Sequence, residues 1–499
     1  MRTIVRWGIG LICATNAIAL QAQPAPPTFT DLTGWWSAEP IHAGESSQVV
    51  LQFSEKEGKP TAQLSLPAIG VHAVPLGTVT LDGNRIDTQP LSFPLTWNAE
   101  RRTLSGVLPR DAVPVYDIPV EFHRSEPVAK PEPTQWKVEP PKMKWSVQVG
   151  GPAWAGLERD AQSGLLFVGN EQGVLNAVDA RGTIRWKFPT DKPIRGRPAV
   201  IGESVYVSSD SGFLYRLNKR TGVEQWRARI DAGSPARIPP DQEKSRWDRY
   251  GSSVVADGQH LYVASRDKNL YALDPENGRE IWRVTAGDMM TATPAVYRDL
   301  ILFAAFDGKV QAVQARDGKL RWTYDAKLAV AGDLVVSGDR VLIGSRTYEL
   351  IALDAGSGKE QWRRYYWFSW IESPPVVHEG VVYTGSSDAV SVYAIDVADG
   401  SLHWKTPVPG WSWSRTAVND RFVVAGAVGV GATPGFRSGA LVALERASGA
   451  IRWLYQEEPS KDVIDAKKNW GFGASPLIVD DVVYAVDLNG RLYAFELGR

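Results

Sequence analysis

Cysteine is almost absent: Cys13 is the single one in 499 residues, and it lies in an N-terminal stretch that reads as a cleavable leader. With that stretch removed no thiol remains, so disulfides, thiolate metal sites and cysteine nucleophiles are excluded together. Long apolar runs are missing too. Trp7 to Leu20 follows Arg2 and Arg6, carries Ala17 and Ala19 near its end, and leads to Ala22 and a Pro-rich segment. That is the layout of a secretory signal, too short and too weakly apolar for a stable span. Residues 1–22 are therefore expected to be removed, leaving a periplasmic or secreted chain with no transmembrane span. Leu11-Ile12 before Cys13 are not the small residues a lipid anchor requires. Charge of one sign is lacking as well: 55 Lys and Arg face 56 Asp and Glu, with no long basic run, so no nucleic-acid partner is expected. The six histidines have no paired spacing, and neither a calcium-hand loop nor a Gly-x-Ser-x-Gly elbow occurs. No metal ligand set and no catalytic constellation is predicted, and we lean away from an enzyme.

What is abundant is turn and sheet chemistry: 46 Gly, 33 Pro and 20 Trp. From 29 to 125, alternating runs such as Gln48 to Phe53, Ala62 to Leu66 and Ile118 to Phe122 are separated by turns such as Asp82-Gly83-Asn84. Period two with such punctuation predicts a small β domain, a barrel or a sandwich. Gly34-Trp35-Trp36, Leu64 to Pro67, Pro75-Leu76 with Val79 to Gly83, and Leu104 to Gly106 resemble the small β domain placed before the catalytic domain of some secreted hydrolases, which implies a helper module. Residues 126–142 hold five prolines among charged residues and read as a semi-rigid extended linker.

From 143 to 499 one pattern recurs: a β run, a turn with Gly, and Trp four residues later. The pairs are Gly182 with Trp186, Gly222 with Trp226, Gly278 with Trp282, Gly318 with Trp322, Gly358 with Trp362, Gly400 with Trp404, and Gly449 with Trp453. An eighth copy is split, its last strand supplied by Lys144 to Val147 with Trp145 and the rest by Val482 to Phe495. Trp-to-Trp spacings of 41, 40, 56, 40, 40, 42 and 49 fit a four-stranded blade. The fold class is thus all-β, an eight-bladed β-propeller whose ring is closed by its N-terminal strand. Gly supplies positive φ in the hairpin before the outer strand, and Trp is expected to be buried on the next blade. At roughly 25 cal/mol per Å2 over about 150–250 Å2, each would contribute about 4–6 kcal/mol at most.

The repeat resembles the quinoprotein-type, PQQ-like propeller family. Its consensus Ala-x-Asp-x-x-Thr-Gly-x-x-x-Trp is matched by Ala272 to Trp282 and Ala352 to Trp362, with Asn277 and Ser357 in place of Thr. Within that family the chain is most similar to the BamB-like envelope propellers, although it carries an additional N-terminal domain.

Extra residues fall at 230–250, 427–440 and 456–472, all on the loop face that repeat arrays use for binding. Ahead of the inner strands stand Arg195 and Arg197, Arg249 and Tyr250, Met289 and Met290, Trp367, Trp370 and Glu372, Trp411, Trp413 and Arg415, and Trp470 and Phe472. Exposed Trp and Arg together suit recognition. The candidate binding set is Arg195, Arg197, Arg249, Tyr250, Trp370, Glu372, Trp413, Arg415 and Trp470; the alternative is that these residues plug the channel as core. Asp210, Asp267, Asp307, Asp388 and Asp487 are read as equivalent turn-capping residues. Gly429-Val430-Gly431 with Gly435 is not a dinucleotide loop, because the register predicts a strand at Leu441 to Leu444 where that motif needs a helix.

Family resemblance implies two cofactor states. In a dehydrogenase of this type, pyrroloquinoline quinone (PQQ) with Ca2+ would sit in the funnel, with Arg195, Arg197 and Arg415 as carboxylate holders. The mature chain lacks the adjacent-cysteine disulfide of most such enzymes. The expectation is therefore no cofactor, and a monomeric, non-catalytic scaffold for a protein partner in the bacterial envelope. Polysaccharide binding by stacked aromatics is a third reading.

Overall fold

The computed structural model describes residues 25–109, 113, 115–130, 134–231, 234, 237, 248–430 and 438–498. The expected leader at 1–22, and parts of the 230–250 and 427–440 insertions, lie outside the described residues.

In the first domain the alternation has a direct structural meaning. Along Val49–Lys56, Leu51 and Phe53 are buried while Gln52 and Ser54 are half-exposed. Eight such strands close on themselves, Gly34–Ala38 pairing with both Val49–Lys56 and Pro119–Ser125. Closure removes every free sheet edge, and Trp36, edge-on to Trp97 at 6.1 Å, fills the interior. Of barrel and sandwich, the domain is a barrel.

The repeats form eight four-stranded antiparallel blades, numbered here in chain order from Glu158–Arg159. Blade 8 takes its fourth strand, Met143–Gln148, from the front of the propeller, paired with Arg491–Glu496, so the ring closes as the split repeat predicts. The recurring Trp is an inter-blade clasp. In all eight blades its indole N–H donates to a backbone carbonyl of the next blade at 2.9–3.3 Å. Burial is less uniform than expected: Trp322, Trp362 and Trp453 are buried, and the others are half-buried. The paired glycine does more than turn the hairpin. At Gly358, with φ +72, an added Cβ would lie 2.5 Å from the Trp322 ring, so the glycine also provides the flat bed on which the preceding blade's indole rests.

The 126–142 linker does not stand clear of the ring. Trp136 and Val138 pack into the cleft between blades 6 and 7, the Leu454 N–H donates to Glu139 O at 3.4 Å, and the Glu496 N–H donates to Lys142 O at 2.9 Å. The linker's apolar residues strap it down. The barrel is docked as well, its core running continuously into Tyr348, Tyr365, Trp367 and Phe368 of blade 5 and the connection that follows. Tyr116 donates to buried Glu349 at 2.8 Å, Arg364 meets Glu45 at 2.6 Å, and His42 lies between Tyr116 and Tyr365.

Candidate functional site

In an antiparallel blade, the turn between the second and third strands and the connection to the next blade emerge at the same end. That end carries every candidate residue, and the barrel covers its blade 5 sector. The axis there is closed. Trp154, Trp413, Val428 and Leu488 form a buried cluster against Tyr250, Trp370 and Trp411. Trp411 stacks on Trp413 at 4.5 Å, Trp154 lies 6.3 Å from Trp413, and Arg249 sits over Trp154 at 4.5 Å. The Tyr250 hydroxyl crosses the ring to donate to Gly473 O at 3.0 Å. Burial pushes its phenol far up and lowers Arg249, so the tyrosine is a fixed neutral donor.

Below this plug lies a cavity of about 40 Å3, where Arg197 pairs with Glu158 at 2.7 Å and Arg415 with Asp333 at 3.3 Å. Burial raises the Glu158 carboxyl despite Arg197 and depresses Arg415 despite Asp333. Trp370 carries Arg346 over its ring at 4.5 Å, and Arg346 is held by Glu372 at 2.6 Å. The axial arginines are thus part of the plug: Arg197, Arg346 and Arg415 are paired with carboxylates, and Arg249 and Arg346 lie over indole rings.

Three residues of the candidate binding set are interior: Glu372, 7% exposed and paired with Arg346, and two tryptophans. Trp413 is 3% exposed at the axis, and Trp470 is 2% exposed, away from the axis in blade 7. Trp470 belongs to Asn469–Gly471, a fifth strand added to Phe422–Val430, where bare Gly429 and Gly439 admit its ring. Trp154 was missed, although its connection after Met143–Gln148 is equivalent to those of Trp370 and Trp413. Nor are the five loop aspartates equivalent. Asp267 and Asp307 cap the N–H two residues on, at 3.0 and 2.9 Å, and Asp487 caps from an earlier turn position. Asp388 accepts from the Trp411 indole at 3.2 Å. Asp210 occupies the second turn position, which points along the face, as do Glu171, Arg266 and Arg346.

Two of these residues, Asp210 and Arg266, line a crevice of about 340 Å3 between blades 2 and 3, together with Ile230, Asp231, Ser234 and Arg237 of the 230–250 insertion. A chain of alternating charge crosses it. Glu171 meets Arg195 at 2.6 Å, Arg195 meets Asp210 at 3.1 Å, and Arg237 binds Asp210 through two nitrogens at 2.7 and 2.9 Å. Arg237 also reaches Asp248, which meets Arg266 at 2.9 Å. Burial opposes the Asp210 charge, but Arg237 and Arg195 outweigh it and hold its pKa low. Ser208, Ser209, Ser211, Ser252 and Ser265 add hydroxyls, and exposed Arg229 stands at the mouth. The size suits a ligand or an inserted peptide segment. Its chemistry is polar and charge-balanced.

Pyrroloquinoline quinone does not fit the axis. A tricyclic tricarboxylate needs several times the 40 Å3 present, and Arg195, Arg197 and Arg415 are each closed on an acidic partner. Among the described residues one group, His378, Glu379 and Asp420, has metal-ligand spacing; it lies on the opposite end of the ring, with Glu379 held by Arg446 at 2.7 Å. No helix among the described residues is long and apolar enough to cross a membrane.

Ring, plug and crevice define a PQQ-like propeller with a closed axis and a polar loop face. A family model described as outer membrane protein assembly factor BamB matches residues 133–243, 240–334 and 306–499, and the chain belongs to that family. Relatives of that name include one from Yersinia pestis, 22% identical over 60% of this chain and 84% of its own, and one from Escherichia coli K12, 23% identical over 56% and 85%. The crystal structure of BamB from Moraxella catarrhalis superposes with a TM-score of 0.53 at 15% identity, covering 71% of this chain and 99% of that one. The computationally designed Ika8 protein gives 0.56 at 13% identity, with the same coverage. The barrel, residues 29–125, lies outside the matched ranges.

Proposed function

We propose that the protein is a non-catalytic envelope scaffold that serves outer-membrane protein assembly by holding a protein partner on its loop face. The observation that carries this reading is the family match over the whole ring. Two features support it: the candidate arginines are committed to internal pairs rather than poised at an open reaction centre, and the barrel leaves the blade 2–3 sector free. The crevice is the docking point. Its paired charges and hydroxyls suit a polar peptide segment, which satisfies donors and acceptors on both walls at once. Aromatic stacking of a sugar finds less support, because the Trp413 stack is turned inward.

Deleting the gene and measuring assembled outer-membrane β-barrel proteins tests the reading. Wild type is expected to restore them, and Ser211→Trp with Arg229→Glu, which fill and recharge the crevice, to fail at normal protein levels. Val223→Glu, at a 63% exposed site on the opposite end, serves as control. Unchanged barrel levels on deletion would refute the role; full restoration by the crevice variant would refute the site.

A further inference from the structure

Among buried acidic groups, one cluster is left unexplained by scaffold and crevice alike. Glu457 opens the 457–472 insertion after the outer strand of blade 7, and Asp487 lies in the second-to-third-strand turn of blade 8. The Tyr493 hydroxyl stands between them, 2.9 Å from Glu457 Oε1 and 3.1 Å from Asp487 Oδ2. A phenol has one hydrogen, so it donates to only one of two carboxylates; the other contact is a hydrogen bond only if that carboxyl itself carries a proton and donates back.

The surroundings decide which one does. Asp487 Oδ1 is already filled, accepting the backbone N–H groups of Asn489 and Arg491 at 2.9 and 2.7 Å. No N–H or O–H group reaches the buried Glu457 Oε2, and the Asp487 carboxyl lies within hydrogen-bonding reach of the Glu457 carboxyl, a state that suits a neutral acid on Glu457 and penalises an anion. The other groups facing the pair are Tyr455 of the blade 7 outer strand and Arg491, with Phe472 closing the cage against Tyr493 at 5.8 Å.

We propose that Glu457 and Asp487 share one proton through Tyr493, forming a proton-operated latch that holds the 457–472 insertion of blade 7 onto blade 8. The insertion depends on this point. Beyond Glu457 it carries Trp470, whose indole donates to Glu457 O at 3.2 Å, and the strand Asn469–Gly471. Loss of the proton places two carboxylates against one hydroxyl in a buried cage, and the part of the insertion that can yield is the unburied helical turn Lys461–Asp465 that follows Glu457. Burial first, and then Asp487, push the Glu457 carboxyl up to about 8, so the latch is closed in acid and opens in mild alkali.

Infrared difference spectra and hydrogen exchange of the full chain test this. At about pH 6, wild type minus Glu457→Gln should show the C=O band of a neutral carboxylic acid, titrating with a midpoint near 8. Asp487→Asn should move that midpoint down by at least about one pH unit, a tenfold loss of proton affinity. That variant keeps the turn, because Asn170 caps the equivalent N–H groups of blade 1 at 3.0 Å. Amides of 457–472, corrected for intrinsic exchange, should lose protection between about pH 6 and about pH 9 in wild type and keep it in Glu457→Gln. Absence of the band, or equal loss of protection in both proteins, would overturn the proposal.

Discussion

Gly358→Ala tests the bed-and-indole clasp that joins the blades. Two separable costs are expected. Alanine at φ +72 costs about 1–2 kcal/mol from backbone strain alone. Its methyl, 2.5 Å from the Trp322 ring, adds about 1–3 kcal/mol, because a buried indole hydrogen-bonded to Ala355 O at 3.1 Å has little room to retreat. Trp322→Ala alone should cost about 3–5 kcal/mol. In that background the clash is gone, so Gly358→Ala should cost only the strain, leaving a coupling of about 1–3 kcal/mol. Gly338→Ala, at φ +58 with nothing within 4 Å of the added methyl, isolates the strain. Urea unfolding of the four-member cycle, followed by far-ultraviolet circular dichroism, measures these differences. Additivity within about 0.5 kcal/mol, or equal costs at Gly358 and Gly338, would refute the clasp.

Removing residues 482–499 deletes the second and third strands of blade 8 and orphans Met143–Gln148, so cooperative thermal unfolding of the ring should disappear rather than shift. Barrel docking should weaken in acid. Burial lowers the pKa of His42 from 6.5, so the neutral ring is the docked form; docking is complete above that value and declines as pH falls towards the lowered one. Energy transfer between dyes on introduced cysteines should follow this decline in wild type and stay flat in His42→Phe. Trp136→Ala should release the strap and speed proteolysis between 126 and 142 without changing the unfolding midpoint of the ring by more than a few degrees.

The repeat was legible because its code is local: Gly, then Trp four residues on, marks the hairpin and the clasp in one short window. Ring closure followed from counting those windows, and the barrel's strands from period two. The site was harder, because its geometry is set by which blade faces which across the axis. The sequence put Arg195, Arg249 and Tyr250 in the connections between blades, where they stand, but did not reveal the charge chain that joins Arg195 to Arg266 through Asp210, Arg237 and Asp248. Trp470 looked like an exposed anchor because the glycines that admit it, Gly429 and Gly439, sit 30 or more residues earlier and form its bed only once the extra strand pairs. Asp210 resembled its neighbours because one-position offsets inside a four-residue turn do not alter composition, yet they turn a cap into a face residue.

Site-specific photo-crosslinking in cells addresses the scaffold claim most directly. A photoreactive residue at Ser211, in the crevice, should capture a protein of the outer-membrane assembly apparatus, whereas one at Val223, on the opposite end, should not. Capture at Val223 with none at Ser211 would contradict the account.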